Sequence, residues 1–172
     1  LLMESLLILI GGDETTRHVL SGGAYELLRH PDQYRALTAD PRRVPAAVEE
    51  MLRWVSPIQN MARTALRDTE LHGQPVAAGQ KVLLLYPAAN RDPARFAAPH
   101  RFDIGRAPNE HIAFGIGAHY CLGANLARLE LRVFFEELVR RLPDLLLAGA
   151  AAPPPPPPNT KCGNATLPVS AR

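Results

Sequence analysis

Cys121 stands in a glycine-spaced stretch, Phe114-Gly115-Ile116-Gly117-Ala118-His119-Tyr120-Cys121-Leu122-Gly123, that leads into a strongly patterned helical run. A thiolate beside a helix N-terminus is stabilised by the dipole and by unpaired N–H groups. The glycines let backbone approach something flat and large. Thiolate ligation pushes electron density on a haem iron toward O–O cleavage. Cys121 is therefore a candidate axial ligand. Two other chemistries use the same residues. A zinc site would draw on His119 and Cys121, but it needs four ligands, and no second Cys/His pair stands at suitable spacing. A nucleophilic cysteine has His119 alone in its support.

Other polar groups stand upstream. Glu14 and Thr15 follow the glycine pair Gly11-Gly12 inside an apolar run. Such a pair allows either close helix packing or a local opening that makes room for a ligand. An adjacent carboxylate and hydroxyl could relay protons; alone, Glu14 reads as a solvated helix residue. Glu50 and Arg53 share a helix face at i and i+3, which for a surface pair contributes about 0.2–0.5 kcal/mol. Arg63 is a surface arginine, or a cation able to grip a carboxylate bidentately. Ile58, Asn60 and Met61 either line a pocket or pack in a core.

The elements that must position these groups are mostly helical. Residues 1–20 read as a mostly apolar, hence buried, helix, and Ser21-Gly22-Gly23 is either a break or a stretch through which helical character runs on to Arg29. Pro31 starts a further helix with Tyr34 and Leu37 on its buried side. Residues 46–55 follow Pro45, and Val48, Met51, Leu52 and Val55 recur at three- and four-residue steps. Residues 58–65 read as extended. Turn signals and the apolar run 81–86 make a small β part. A Pro-rich meander then leads to the cysteine loop. Leu122, Leu126, Leu129 and Val133 form the stripe of the last helix, thickened by Phe134, Phe135, Leu138 and Val139, so this helix is expected to be buried on more than one side. Arg128 and Arg132 project from it and read as a solvated basic face. Residues 149–160 are a Pro-rich irregular segment.

Composition sets outer bounds. The chain has 172 residues, 47% hydrophobic and 21% charged, which is ordinary for a globular chain. Net charge of +2 is too small to argue for nucleic acid. Two cysteines make no disulfide framework, and a reducing cytoplasm fits. The opening apolar run is too short for a membrane span, carries Glu4 and lacks the basic flank of a signal peptide. It reads as the middle of a helix, with no membrane anchor in view.

The motif Phe-x-x-Gly-x-His-x-Cys-x-Gly at 114–123 resembles the cysteine-ligand loop of the cytochrome P-450 monooxygenases. Gly-Gly-x-Glu-Thr at 11–15, Glu-x-x-Arg at 50–53 and Phe-Asp-Ile-Gly-Arg at 102–106 resemble that family's other signatures, in the family's order. The resemblance implies a mainly α fold with a small β part, the C-terminal portion of the cytochrome P-450 fold. Residues 1–172 would be a partial domain running from the distal helix to the C-terminus, with the N-terminal half missing. It implies haem b with Cys121 as axial thiolate. Thr15 and Glu14 would be the alcohol and acid over the haem. Arg63 and His119 would bind propionates, and Phe114, Gly117 and Gly123 would lie against the macrocycle. Glu50, Arg53 and Arg106 would form a buried structural triad. Ile58, Asn60 and Met61 would face substrate.

The implied reaction inserts one O2-derived oxygen atom into a C–H bond of a small hydrophobic substrate. Electrons would come from NAD(P)H through a ferredoxin reductase and a ferredoxin. The segments 11–18, 49–54 and 118–128 resemble bacterial members that hydroxylate the side chain of cholesterol and related steroids. A different class of function is a catalytically inactive truncated fragment, at most a partial haem-binding module.

Overall fold

The computed structural model describes residues 1–148 and 167–171. The Pro-rich segment 149–160 and Cys162 lie outside the described residues. Helix α1 (Leu2–Asp13) is followed by α2 (Thr15–Arg29), α3 (Pro31–Ala39), a short 3₁₀ turn (Pro41–Arg43) and α4 (Val44–Val55). The β part comprises β1 (Asn60–Thr64), β2 (Thr69–Leu71), β3 (Gln74–Val76) and β4 (Lys81–Leu85). A single turn, α5 (Tyr86–Ala89), opens the meander. After the cysteine loop come α6 (Ala124–Arg141), β5 (Leu146–Leu147) and β6 (Val169–Ser170).

The core lies where α2, α3, α4 and α6 meet. Leu27, Leu37, Met51, Leu131 and Phe135 are all 0% exposed, and burying such side chains stabilises the fold by about 1.5–3 kcal/mol each. Ser21-Gly22-Gly23 does not break α2. The two glycines instead let α4 approach. A Cβ on Gly22 would stand 2.8 Å from Val55 Cγ2, and one on Gly23 2.8 Å from Met51 Sδ. Helix α4 has Pro45 in its first turn and ends at Ser56, which takes a left-handed φ of 43° immediately before Pro57. The strand β1 then pairs antiparallel with β4, placing Arg63 opposite Val82 and Asn60 opposite Leu85.

Two expectations about burial are corrected. The first helix was expected to be continuous over residues 1–20 and buried. The structure breaks it at Glu14, between α1 and α2, and no residue of α1 is buried. An all-round apolar helix needs cover on every side, and the contacts that α1 makes with α2 leave every residue of α1 exposed or partly exposed. The second correction concerns α6. Its buried residues are Ala124, Leu131, Phe135 and Val139, whereas Leu122, Leu126, Leu129, Val133 and Phe134 are exposed. The sequence carries two apolar stripes on nearly opposite faces of the helix, roughly 160° apart, since Leu131 and Val133 are two 100° steps from each other. Only the stripe facing α2 and α4 is covered by described residues.

Candidate functional site

The cysteine loop is held by main-chain geometry before any side chain contributes. Gly115 and Gly117 adopt left-handed φ values of 72° and 69°, which L-residues reach only with strain. The Gly115 N–H donates to Ile112 O at 2.8 Å, and the Cys121 N–H donates to Phe114 O at 2.9 Å. A 3₁₀ turn at Gly117–His119 fills the space between these two bonds. The Cys121 thiol is therefore presented, exposed, from a pinned backbone two residues before the Gly123 N-cap of α6. A Cβ on Gly117 would meet nothing within 4 Å, and one on Gly123 would meet only Cys121 Sγ at 4.0 Å. Gly123 has an ordinary φ of −85°; its lack of a side chain leaves room beside the sulfur. Ile116, His119, Tyr120 and Leu122 are exposed on the same loop.

Behind the loop lies a buried polar network built on α4. Glu50 and Arg53 are both 0% exposed. Arg53 grips the Glu50 carboxylate with Nε at 2.7 Å and Nη2 at 2.8 Å. Arg106 Nε reaches the same carboxylate at 3.0 Å, and the Asp103 N–H donates to it at 2.9 Å. Arg53 Nη1 also donates to Asn90 O at 2.7 Å and Pro99 O at 3.0 Å. The Asn90 side chain donates to Ser56 Oγ and accepts from the Ile112 N–H, each at 2.8 Å. The network therefore runs from α4 through the meander to the first residues of the loop.

A second cluster was not anticipated. Glu49, beside Glu50 on α4, accepts from Arg128 Nε at 2.7 Å and Nη2 at 3.0 Å. It also meets His111 Nε2 at 3.0 Å. Arg128 is thus an ion-pair partner rather than a freely solvated charge. Its guanidinium lies 4.6 Å from the Phe114 ring centroid and donates to Tyr120 Oη at 3.0 Å. The signal in the sequence was the first of two consecutive acids on an amphipathic helix, but the partners are more than 60 residues away in the chain.

Burial pushes the Glu49 carboxyl up, but the hydrogen bonds from His111 and Arg128, with the Arg128 charge, outweigh it and hold the group at about 2 against an ordinary 4.5. A depressed carboxylate stabilises the fold above its unfolded value and loses that contribution as pH falls through the folded one. Glu49 should therefore add stability that is complete above about 4.5 and is lost as the pH falls toward and below about 2. Denaturant midpoints followed across that window should fall more steeply for the wild-type chain than for Glu49→Gln. Parallel acid limbs in the two proteins would remove this contribution.

The remaining candidates are scattered along the chain. Thr15 Oγ1 donates to Gly11 O at 2.8 Å, one of the carbonyls that the end of α1 leaves without an intrahelical partner. Glu14 lies at the break, with Oε1 3.5 Å from Arg17 Nη2. Arg63 is exposed and donates to its neighbour's carbonyl, Ala62 O, at 3.0 Å. No carboxylate pairs with Arg63 or His119 among the described residues. Ile58 and Asn60 are half-buried and Met61 is exposed. The fold joins Glu50, Arg53 and Arg106 directly, and joins Phe114 to Cys121. The Thr15 hydrogen bond only bridges the break from α2 back to α1, and that of Arg63 stays within β1.

The sequence pattern of the cytochrome P-450 family matches residues 1–169. The chain belongs to the cytochrome P-450 family. It is 54% identical over 169 residues to a steroid C26-monooxygenase of Mycolicibacterium smegmatis (strain ATCC 700084 / mc(2)155), covering 98% of this chain and 42% of that protein. It is 49% identical over 143 residues to a methyl-branched lipid omega-hydroxylase of Mycobacterium tuberculosis (strain ATCC 25618 / H37Rv), covering 82% of this chain and 33% of that protein. The crystal structure of P450BioI, in complex with hexadec-9Z-enoic acid ligated acyl carrier protein, superposes with a TM-score of 0.91 at 41% identity. That match covers 96% of this chain and 43% of the other. The chain thus spans less than half the length of these relatives, and its mainly α fold with a small β part is the C-terminal portion of the cytochrome P-450 fold. No helix among the described residues is long and apolar enough to cross a membrane.

Members of this family hold haem through a cysteine thiolate, and the residues here fit such a group. No set of three or more His, Cys, Asp or Glu side chains that could hold a metal occurs among the described residues. A single exposed sulfur suits a metal whose other donors arrive with a macrocycle. The open space over Gly117 and the exposed apolar side chains of Ile116 and Leu122 suit a flat apolar ring beside it.

Proposed function

We propose that the protein is the thiolate-bearing portion of a haem-thiolate monooxygenase acting on a hydrophobic substrate, with residues 1–172 forming one partial domain. The observation that carries this reading is the exposed Cys121 thiol on a pinned, glycine-turned loop. Cys121 would be the axial ligand, with Phe114, Gly117 and Gly123 lining the ring. Bound there, haem b would activate O2, using electrons from NAD(P)H relayed by a ferredoxin reductase and a ferredoxin, so that one oxygen atom enters a substrate C–H bond. Arg63 and His119 would hold its propionates, a role supported by their exposure and by the absence of carboxylate partners among the described residues. Ile58, Asn60 and Met61 would border the substrate. A steroid side chain is the substrate class favoured by the 54% identity to a steroid C26-monooxygenase.

Glu14 and Thr15 would manage protons. Gly11 O is an acceptor, so the Thr15 hydroxyl proton points at it and Oγ1 offers its lone pairs on the other side. Glu14 is partly exposed, which lets it exchange protons with solvent. Thr15→Ala should keep the fold and the haem, because one net hydrogen bond is worth only about 0.5–1.5 kcal/mol. It should raise the peroxide released per substrate molecule oxidised. A coupling ratio equal to wild type would remove Thr15 from the proton path.

The decisive test is optical. The haem-loaded protein, reduced and exposed to carbon monoxide, should give a strongly red-shifted Soret band. A band at the imidazole-type position, or no haem uptake, would end this reading. A second reading, a partial haem-binding module without turnover, draws on the exposure of α1 and of Leu83 and Leu85 on β4. It predicts the red-shifted band with no product, whether the redox proteins or peroxide supply the oxidising equivalents.

A further inference from the structure

We propose that Glu49, His111 and Arg128 form a clamp that positions Cys121 by tying both arms of its loop to α4. The proposal rests on the haem-thiolate reading above and assigns a task to residues that this reading leaves unused.

The geometry is that of a two-sided grip. His111 precedes the loop and Arg128 follows it, one turn into α6. Both meet the single carboxylate of Glu49, so the entry and exit of the loop share one anchor. The His111 side chain is only 2% exposed. Its Nδ1 accepts the Ala113 N–H at 3.2 Å, so the ring proton sits on Nε2 and is donated to Glu49. Ring orientation is thereby fixed from both nitrogens.

Arg128 extends the grip to the loop itself. Its guanidinium lies over Phe114, the residue whose carbonyl accepts the Cys121 N–H. The same guanidinium bonds the hydroxyl of Tyr120, the residue before Cys121. Bidentate pairing to Glu49 leaves this arginine little rotational freedom. Adjacent carboxylates on α4 therefore divide the work. Glu50 fixes the meander and Glu49 fixes the loop. None of the three hydrogen-bonds the Cys121 sulfur, so all three are positioning residues.

The test follows the reduced, carbon monoxide-bound holoprotein over time, as the thiolate band gives way to the thiol-type band, and measures the midpoint potential of the iron. Charge-assisted hydrogen bonds are strong enough that Glu49→Gln should speed this conversion about tenfold. Glu49→Asp should restore most of the wild-type lifetime. Tyr120→Phe removes one hydroxyl from an exposed side chain, leaves the fold intact and should accelerate conversion to a smaller degree. The potential should shift in the same variants, a readout that a purely structural role would not move. Wild-type lifetimes and potentials in both Glu49→Gln and Tyr120→Phe would overturn the clamp. Should Glu49→Gln take up no haem, Tyr120→Phe decides by itself: acceleration supports the clamp and a wild-type lifetime overturns it. Absence of the red-shifted band in the wild-type protein would instead sink the haem-thiolate reading, a failure visible before any variant is made.

Discussion

Glu50→Ala should cost about 3–5 kcal/mol of stability, the toll for breaking a buried ion pair from one side, and should prevent haem uptake. The magnitude follows from what the carboxylate holds. Glu50 accepts from Arg53 twice, from Arg106, from the Asp103 N–H and from Asn109 Nδ2. Without it, the fully buried Arg53 guanidinium keeps as hydrogen-bond acceptors only the neutral carbonyls of Asn90, Pro99 and Arg101, beside the rings of Trp54 and Phe96. A charge left in that state is the expensive outcome. A typical domain has about 5–15 kcal/mol in all, so the loss is a large share. The effect should also reach the loop, because Arg53 fixes Asn90, and Asn90 fixes the Ile112 N–H. Denaturant titration and haem content measure the two consequences separately. A variant with an unchanged midpoint and a full haem load would show that the network is dispensable.

The helices of this fold could be read from the chain because local chemistry specified their ends. Pro31 and Pro45 sit in the first turns of α3 and α4, and Ser56-Pro57 closes α4. Buried Val48, Met51 and Leu52 keep the three- and four-residue spacing that the sequence displays. What could not be read was which apolar face finds a neighbour. Leu126, Leu129 and Val133 have the same periodicity as Leu131, Phe135 and Val139, yet only the second set is covered. Periodicity reports that a face is apolar, and tertiary packing decides what lies on it. The same holds for α1, whose composition suggests burial while no described residue provides it.

The site was legible where spacing is local. Glu50 and Arg53 lie on one helical turn, and the turn from Gly115 to Cys121 is a continuous stretch. Arg106 was reached only through family resemblance, since 56 residues separate it from Glu50. Glu49, His111 and Arg128 were missed as a group for the same reason. Each is an ordinary polar residue in its own segment, and α4 brings them together only after the meander has folded across it. The break at Glu14 was half-visible. The glycine pair announced a weak point, but the helix parts just after it, where Thr15 returns its hydroxyl to Gly11.

Cys121→Ala should abolish the red-shifted carbon monoxide band completely while leaving the fold almost untouched. The two effects separate because of where the residue stands. Its side chain is exposed, and surface substitutions of this kind usually change stability by less than about 0.5 kcal/mol. The bond from residue 121 to Phe114 O comes from the main chain and survives the change. The loop should therefore keep its shape and lose only its donor. This is the reverse of Glu50→Ala, where the scaffold fails and the thiol remains. The sequence holds two cysteines, so Cys162→Ala serves as the control and should retain the band at wild-type intensity. Circular dichroism of the Cys121→Ala protein checks that its helices persist. If that protein, correctly folded, still gives the red-shifted band, the axial sulfur is not Cys121.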